Sequence, residues 1–431
     1  MSTDVITLFE YGWTDALSDR EISLLGRLSR TNGIEVLKPF IRQGKTCLQA
    51  RQFVGVLRLG RCTIQILPKV HRSSDHPQSE QDATRNLLLM LDYAGALGIQ
   101  EINQASLKGA ADWFEVLIYL FALQLQRQWL KGVTHSYQPI DALLPVLKGK
   151  WRLSAQIHRP EHKHLFSVTY DDFTADNPLN RVLRYVVEQL WQLTRDGQNR
   201  QMLSELRYWM DGVTLLPAVT PQMTRRIILT RLNQQYEPLL NLARLFLEGL
   251  GLELSASDQT AYAFLLDMNQ LFEGFLTGFI QRHRKQVVPE ALQGCQLLPQ
   301  GKNTTFYLAR HRGKGVFKLK PDLVFRQGAH YPLLMDFKYK ELDPGDRKLG
   351  ITTADFYQMY AYLNRFKAGQ VTLIYPQTAE MTGPVGSRFE LEEDQGAIRA
   401  VTINLLRDLT ATNEKQALMA ELRQILEETD G

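Results

Sequence analysis

Cysteine is scarce in this chain of 431 residues, which contains three, far apart at Cys47, Cys62 and Cys295. This spacing indicates neither a disulfide framework nor a zinc site. Long apolar runs are lacking as well. No uninterrupted run approaches the ~18 residues that suggest a membrane span, and no basic segment followed by an apolar one marks the first residues. We therefore expect a cytoplasmic protein without a membrane partner.

A strong excess of charge of one sign is also missing. The chain has 50 Lys and Arg residues against 46 Asp and Glu residues, a formal net charge of +4. This balance permits contact with nucleic acid without arguing for it, because local patches rather than the total charge form a binding surface. A hydrophobic content of 44% and a charged content of 22% are typical of a globular protein, and the length suggests two or three domains.

A nucleotide-binding loop is absent too. The segment Gly44-Lys45-Thr46 resembles the end of a P-loop, but Pro39 stands where the first glycine of that motif belongs. The surrounding pattern is β-rich and lacks the helix that must follow such a loop. We therefore expect no nucleotide binding by this chain itself.

The hydrophobic pattern divides the chain into three regions. Residues 1–80 form a β-rich module, with a predicted hairpin whose strands cover 54–59 and 63–70. Residues 81–253 are mainly α-helical and include an extended arm, and residues 254–431 combine helices with strands. The predicted fold class is therefore an α/β multidomain protein with an N-terminal β-rich module, an α-helical middle and a C-terminal α/β domain.

Three local predictions concern segments outside the candidate site. A helix is expected from about residue 15 to 29. Between Pro139 and Pro145 we expect an irregular connection, because proline interrupts regular structure. The tail from 400 to 428 is expected to add amphipathic helix.

The residues that are expected to carry the chemistry lie in two short apolar runs, 318–325 and 333–339. Alternate residues of a strand share a face, so Asp336 and Lys338 are expected to lie side by side. Asp322 brings a second carboxylate to the same place if the two strands are neighbours. Two acids and a lysine suit Mg²⁺, which takes oxygen ligands and keeps several waters, while the lysine holds or activates the attacking water.

Helices are predicted on both sides of these strands. The upstream helix, 264–276 and beyond, places Glu273 at the edge of its buried stripe, where a metal or a metal-bound water would compensate the acid; alternatively, Glu273 is an ordinary residue at the solvent margin. The downstream helix opens at Thr352 and places Gln358 and Tyr362 one turn apart. These two residues either face the cleft or belong to an ordinary half-exposed surface.

A basic run precedes Asp322. Lys318 and Lys320 are expected to alternate onto the same strand face as that acid. Lysines there would give DNA affinity that depends on salt rather than on sequence, or would protect a strand edge from aggregation. Both interpretations stay open. The run comprises Arg310, His311, Arg312, Lys314, Lys318 and Lys320.

The order of these residues resembles a known nuclease motif. Pro321-Asp322 followed by Asp336-Phe337-Lys338 is similar to the PD-(D/E)xK pattern, and the flanking Glu273 and Gln358 are similar to its RecB-like branch. More closely, several phrases resemble the McrC family, the nuclease subunit of McrBC modification-dependent restriction systems. These phrases lie at 271–273, 319–322, 335–340 and 355–362, and further matching phrases lie at 54–56, 64–70, 131–137 and 147–152.

The resemblance implies a PD-(D/E)xK restriction-endonuclease-like domain at 254–431. In it, Asp322, Asp336 and Glu273 would bind Mg²⁺, with Mn²⁺ as a substitute. Lys338 would position the attacking water, and Gln358 with Tyr362 would shape the cleft.

The resemblance also implies partners. A McrB-like AAA+ GTPase ring would dock on residues 1–80 and be stimulated by this chain, which would meet GTP through that partner. The substrate would be double-stranded DNA that carries modified bases. Two alternatives remain: a non-catalytic adaptor or GTPase activator with a degenerate nuclease fold, and a stand-alone RecB-like exonuclease.

Overall fold

The computed structural model groups the chain into two compact units, one formed by residues 1–107 with 249–431 and the other by residues 108–248. Each unit is described by itself. The residues that the structure describes are 5–32, 35–60, 62–72, 79–95, 112–158, 161, 164–249, 252–256, 259–302, 304, 306–381, 383–391 and 396–427.

The N-terminal part of the first unit consists, in its described residues, of short strands and two helices. The predicted hairpin is confirmed: its strands pair antiparallel with Leu59 opposite Cys62. The predicted helix begins at Asp19 rather than at 15, because Ser18 and Glu21 form a capping box there. In order, the elements are β1 Val5–Phe9, β2 Trp13–Thr14, α1 Asp19–Asn32, β3 Leu37–Arg42, β4 Lys45–Ala50, β5 Phe53–Leu59, β6 Cys62–Leu67, a 3₁₀ turn Lys69–His71 and α2 Ser79–Tyr93.

The segment that resembles a P-loop lies in a second hairpin. Gln43 and Gly44 both have positive φ, at 50° and 77°, and form the turn between β3 and β4. A strand rather than a helix therefore follows at Lys45, so this segment lacks the helix that a P-loop requires.

The second unit is mainly helical and carries one small sheet. Asn177 caps its predicted long helix by accepting a hydrogen bond from the Asn180 backbone N–H. Its elements are α3 Trp113–Lys131, β7 Ser136–Leu144, β8 Lys150–Trp151, α4 Leu153–Ile157, β9 Phe166–Thr174, α5 Pro178–Leu193, α6 Gly197–Trp209, α7 Pro221–Arg225, a 3₁₀ turn Gln234–Tyr236 and α8 Glu237–Gly249.

The prediction of an irregular connection between Pro139 and Pro145 was wrong. Strand β7 runs through Pro139 and pairs with β9 along its whole length. The strand order is β7-β9-β8, so β7 is an edge strand. An edge strand tolerates proline because one of its sides needs no ladder hydrogen bonds.

The C-terminal part returns to the first unit. Its elements are β10 Leu252–Ala256, β11 Gln259–Asp267, α9 Met268–Arg282, α10 Arg284–Val287, α11 Glu290–Gln293, β12 Gln296–Pro299, β13 Tyr307–His311, β14 Lys314–Lys318, β15 Leu323–Gln327, β16 His330–Phe337, α12 Thr353–Phe366, β17 Gln370–Pro376, β18 Gly386–Glu390, β19 Ala397–Ile403 and α13 Thr412–Glu427.

Two segments of this part differ from the predicted helices. The segment before Met268 is strand β11, which pairs with β5 so that Phe264 lies opposite Val56. The helix then begins at Met268, where Asp267 accepts a hydrogen bond from the Asn269 backbone N–H. The tail was also predicted wrongly near 400, because β19 pairs there with β17 before the terminal helix starts.

Two sheets organise the first unit. The first has the order β1-β6-β5-β11-β10 and the second β12-β15-β16-β17-β19-β18. The first sheet combines three strands from residues 5–67 with two strands from residues 252–267. Strand β11 pairs directly with β5, so these two segments, far apart in sequence, belong to one sheet.

The second sheet positions the candidate site. Strand β16 is antiparallel to β15 and parallel to β17, and α12 connects β16 to β17. Helix α12 buries Met359, Leu363 and Phe366 against the sheet. Buried, almost continuously apolar strands such as β17 are typical of the centre of a sheet that is covered on both faces. The predicted class, a mixed α/β multidomain protein, is confirmed at this level.

Within the described ranges, no helix combines the length and the apolar character needed to cross a membrane.

Candidate active site

Asp322 lies immediately before β15, after Pro321. Its Oδ2 accepts a hydrogen bond from the backbone N–H of Phe337 at 2.6 Å. Strands β15 and β16 are paired neighbours with Leu323 opposite Met335. The carboxylate of Asp322 is thereby fixed against the segment of β16 that contains Asp336, as the sequence pattern predicted.

Asp336 is buried near the end of β16, with 2% of its surface exposed. Its Oδ2 lies 2.7 Å from the Nζ of Lys338, which confirms that the two side chains share a face. The two groups form an ion pair, and no second donor among the described residues reaches Oδ2. This buried carboxylate oxygen therefore depends on the Lys338 cation alone.

Lys338 connects the strand to helix α12. Its ammonium donates a hydrogen bond to Oε1 of Gln358 at 3.1 Å, and the Gln358 amide donates to the hydroxyl of Tyr362 at 2.8 Å. Both helix residues therefore face β16, as their spacing of one turn predicted. Burial would lower the pKa of Lys338, but the carboxylates of Asp336 and Asp355 raise it overall. Lys338 consequently stays protonated at neutral pH.

Asp355 and Lys340 form a second ion pair beside the first. The Lys340 ammonium lies 2.6 Å from Oδ2 of Asp355. The same oxygen also accepts a hydrogen bond from the Thr352 hydroxyl. Asp355 Oδ1 is 3.9 Å from Lys338 Nζ. Neither Asp355 nor Lys340 was among the site residues that the sequence predicted. Asp336, Lys338 and Lys340 alternate along the sequence, and this alternation could have predicted that Lys340 lies on the same face as the other two.

Glu273 is half-buried on α9. Burial and the Asp336 carboxylate raise the pKa of Glu273, and the Lys338 ammonium opposes this shift. The acid therefore lies within the electrostatic field of the site, and because the helix begins at Met268 it stands about one turn nearer the helix start than predicted.

The buried acids destabilise one another's ionised forms. Burial and the charge of Asp336 raise the pKa of Asp322 to about 8, and Glu273 adds to this effect. The pKa of Asp336 is also raised by burial, which outweighs the opposing effect of Lys338. Neighbouring carboxylates of this kind titrate as a coupled group, and a cation between them would stabilise their charged forms.

These residues fit a divalent cation held by two carboxylates. Asp336 offers a buried oxygen whose one polar neighbour among the described residues is the Lys338 ammonium, and Asp322 offers a second carboxylate whose ionised form needs compensation. Among the described residues, no three His, Cys, Asp or Glu side chains approach closely enough to form a complete metal-binding group. Mg²⁺ does not require one, because it usually binds one or two carboxylates and keeps several waters.

The basic residues before Asp322 are arranged differently from the prediction. Lys318 ends β14, which belongs to a separate two-stranded sheet with β13. Lys320 and Asp322 lie in the connection before β15 begins at Leu323. The expectation that Lys318, Lys320 and Asp322 share one strand face was therefore wrong, because no single strand contains them.

A buried contact joins the N-terminal strands to the site. Glu10, 1% exposed, follows β1 and accepts hydrogen bonds from the Tyr339 hydroxyl at 2.9 Å and from the Lys69 backbone N–H at 3.0 Å. The Lys69 ammonium lies 5.1 Å from the centre of the Tyr339 ring. Tyr339 follows Lys338 directly, so the first sheet holds the residue next to the candidate lysine.

Changing Tyr339 to Phe should lower the free energy of unfolding of the first unit by about 1–3 kcal/mol, because the buried Glu10 carboxylate loses a hydrogen-bond donor. Thermal and urea unfolding would measure this loss. The matched change Tyr357→Phe, on an exposed part of α12, should have an effect within about 0.5 kcal/mol. Equal effects of the two changes would contradict a structural role for the Glu10 contact.

Comparisons with known proteins agree with one family. The profile of the family described as McrBC 5-methylcytosine restriction system component matches residues 48–376, more than half of the chain. A search of curated proteins finds no significant match.

Solved structures give two further similarities. One is a chain from a refined half-complex of a tetradecameric assembly of Thermococcus gammatolerans McrB AAA+ hexamers with bound McrC. It is 23% identical with a TM-score of 0.63, covering 98% of this chain and 100% of that one. Another, from the cryo-EM structure of the Thermococcus gammatolerans McrBC complex, is 26% identical with a TM-score of 0.48, covering 65% of this chain and 88% of that one. The first similarity shows a shared fold.

Proposed function

The chain belongs to the family of McrBC 5-methylcytosine restriction system components, and from that premise we propose that it is the McrC-like nuclease subunit of such a system. It would hydrolyse phosphodiester bonds of double-stranded DNA that carries modified bases. The observation that carries the proposal is the buried Asp336 carboxylate 2.7 Å from the Lys338 ammonium, beside Asp322. The arrangement supports the PD-(D/E)xK assignment for residues 254–431.

The residues have distinct roles in this proposal. Asp322 and Asp336 would hold Mg²⁺, or Mn²⁺ in its place, and Glu273 would add negative charge from α9. The metal, when bound, stabilises negative charge that develops on the scissile phosphate. Lys338 is protonated, so it acts as a hydrogen-bond donor that orients the attacking water rather than as a base.

Gln358 and Tyr362 act on Lys338. The Gln358 carbonyl oxygen accepts one ammonium hydrogen, and the Tyr362 hydroxyl in turn fixes the orientation of the amide. This chain of hydrogen bonds holds the ammonium towards Asp336. Preorganised donors of this kind need no rearrangement when charge develops in the reaction.

We propose in addition that the chain works with a ring-forming AAA+ GTPase of the McrB kind and stimulates it. The solved chain that resembles it end to end comes from an assembly of McrB AAA+ hexamers with bound McrC, which supports this partnership. GTP would be bound by the partner, since the Gly44 segment of this chain is a hairpin turn. Residues 1–80 are proposed as the docking portion.

Reconstitution tests the proposal. The purified chain and a McrB-like AAA+ GTPase would be incubated with methylated or unmodified duplex DNA, Mg²⁺ and GTP. We expect cutting of the methylated duplex that needs both proteins, GTP and Mg²⁺. Degradation of DNA ends by the chain alone would support a stand-alone exonuclease instead. Stimulated GTP hydrolysis without cutting would support a non-catalytic activator.

A further inference from the structure

A basic ribbon of two strands lies directly before the candidate site. It spans residues 306–320, with β13 and β14 paired antiparallel so that Tyr307 is opposite Lys318. Its tight turn is made by Arg312 and Gly313, both with positive φ. The two strands form a sheet of their own, apart from the six-stranded sheet.

The charge of the basic ribbon has one sign. Residues 306–320 contain five Lys and Arg residues and no Asp or Glu. All five cations are exposed, and within the described part of the chain none of them forms an ion pair with a carboxylate. A surface of unpaired cations is complementary to a polyanion. The five are Arg310, Arg312, Lys314, Lys318 and Lys320.

The base of the ribbon is fixed to the helix that carries Gln358 and Tyr362. Arg365 of α12 donates a hydrogen bond to the backbone oxygen of Tyr307 at 3.0 Å, and the ring of Phe306 lies 4.1 Å from that of Phe366. The ribbon is therefore held at one position relative to α12. Its second strand ends four residues before Asp322, so the end of the ribbon lies within about 15 Å of that residue's backbone.

Phe317 is the unusual residue of the ribbon. Its φ is 57°, a left-handed conformation that L-residues disfavour, and 73% of its surface is exposed. Folding gains little from such a side chain, since neither burial nor backbone preference favours it. A strained residue of this kind points to a binding role. Leu308, 49% exposed, lies on β13 at the position across from Phe317, so both strands have an exposed apolar side chain there.

We propose that the basic ribbon enters a groove of duplex DNA, with its cations on the phosphates and Phe317 against sugars or base edges. The major groove admits a two-stranded β-ribbon, and apolar side chains can contact or wedge between base steps. The inference rests on the proposed nuclease function and adds the surface that holds the substrate. The ribbon fixes the scissile strand next to Asp322 and Asp336.

Binding of a short fluorescent duplex to the full chain tests this, measured by anisotropy in EDTA so that no cutting occurs. The triple change Arg310→Gln, Arg312→Gln and Lys314→Gln should weaken binding at least about tenfold. It should also reduce the slope of log affinity against log salt by about three, since each lost phosphate contact contributes about 0.9. A triple change of exposed cations elsewhere in the first unit, Arg20→Gln, Arg27→Gln and Lys38→Gln, is the matched control.

Phe317→Gly separates strain from binding. Glycine accepts the positive φ, so the thermal stability of the variant should equal or exceed that of the wild type. Its affinity for DNA should nevertheless fall about tenfold, with the salt slope unchanged. Loss of affinity together with loss of folding would contradict the proposal for Phe317.

The possible outcomes distinguish this inference from the proposed function. If the ribbon triple variant binds DNA like its control, the ribbon inference is wrong while the nuclease proposal is untouched. If it binds DNA normally but stimulates the AAA+ partner less, the ribbon contacts protein instead, and the inference is likewise wrong. If the wild-type chain with its AAA+ partner, GTP and Mg²⁺ cuts no DNA while the ribbon variant loses affinity, the nuclease proposal fails and the ribbon remains a DNA-binding surface.

Discussion

Asp336→Asn should lower the rate of Mg²⁺-dependent DNA cutting by about 10³-fold, because it removes the buried charge that faces Lys338 and would hold the metal. The amide keeps the shape of the side chain, so a large change in stability is not expected to accompany the loss. Single-turnover cutting of a methylated duplex, with the AAA+ partner and GTP present, would measure it. Stimulation of the partner's GTP hydrolysis should be unchanged.

A neighbouring lysine provides the control for this prediction. Lys338→Gln should cause a loss similar to that of Asp336→Asn, since the ammonium that orients the water is removed. Lys340→Gln removes an equal charge two residues away, where the side chain is paired with Asp355 and half-exposed, and should reduce the rate about tenfold at most. Cutting at the wild-type rate by Asp336→Asn or Lys338→Gln would contradict the site assignment.

The parts of the site that the sequence predicts are those set by local periodicity. Asp336 and Lys338 are two residues apart on one strand, and Gln358 and Tyr362 are four apart on one helix. Their mutual distances follow once β16 and α12 form, and both elements have strong local signals. Asp322 required one further step, the pairing of β15 with β16, which short neighbouring strands make easily.

Other features depend on contacts between distant parts of the chain, which periodicity does not record. The apolar segment around Phe264 and Leu265 suits a helix or a strand equally well, and its pairing with β5 decides the outcome. Likewise, Glu10 meets Tyr339 across more than 300 positions of sequence. The hydrophobic pattern predicts a separate module for residues 1–80. No local pattern shows that the residue after its first strand contacts the residue next to Lys338.

The structure of the basic ribbon also follows from tertiary constraints. The spacing of Lys318, Lys320 and Asp322 suits one continuous strand. Yet Phe317 has positive φ, which interrupts the regular alternation of side chains along β14, and β15 begins only at Leu323. The chain therefore leaves the β14 ladder before it reaches Asp322. A left-handed residue that is not glycine has no signal in a single sequence.

Asp322→Asn should make the metal-free protein more stable while it abolishes cutting. The amide oxygen can still accept the Phe337 N–H, whereas the repulsion between the carboxylates of Asp322 and Asp336 disappears. At pH 8 the gain in the free energy of unfolding should be about 2–4 kcal/mol. This is less than the full difference between the folded and unfolded pKa of Asp322 would give, because the side chain is partly exposed and solvent screens its charge. Thermal unfolding of the first unit in EDTA would show a melting temperature higher by roughly 5 °C.

The sign of the pH dependence follows from the raised pKa of Asp322. Between about pH 4 and pH 8 the folded wild type holds a proton there that the unfolded chain releases, so its stability falls as the pH rises through this range. The gain in the free energy of unfolding of Asp322→Asn over the wild type should therefore grow with pH. Glu390→Gln, a change of an exposed residue, should give no such gain.

Mg²⁺ completes the test of Asp322, because an ion that binds the folded state stabilises it. Mg²⁺ should raise the melting temperature of the wild type and have little effect on that of Asp322→Asn. The difference in melting temperature between the two proteins should therefore become smaller or change sign when the metal is added. Equal stabilisation of both proteins by Mg²⁺ would mean that the ion binds elsewhere. In that case the two buried acids would have to be explained without a metal, and the reason for keeping a destabilising carboxylate at 322 would be lost.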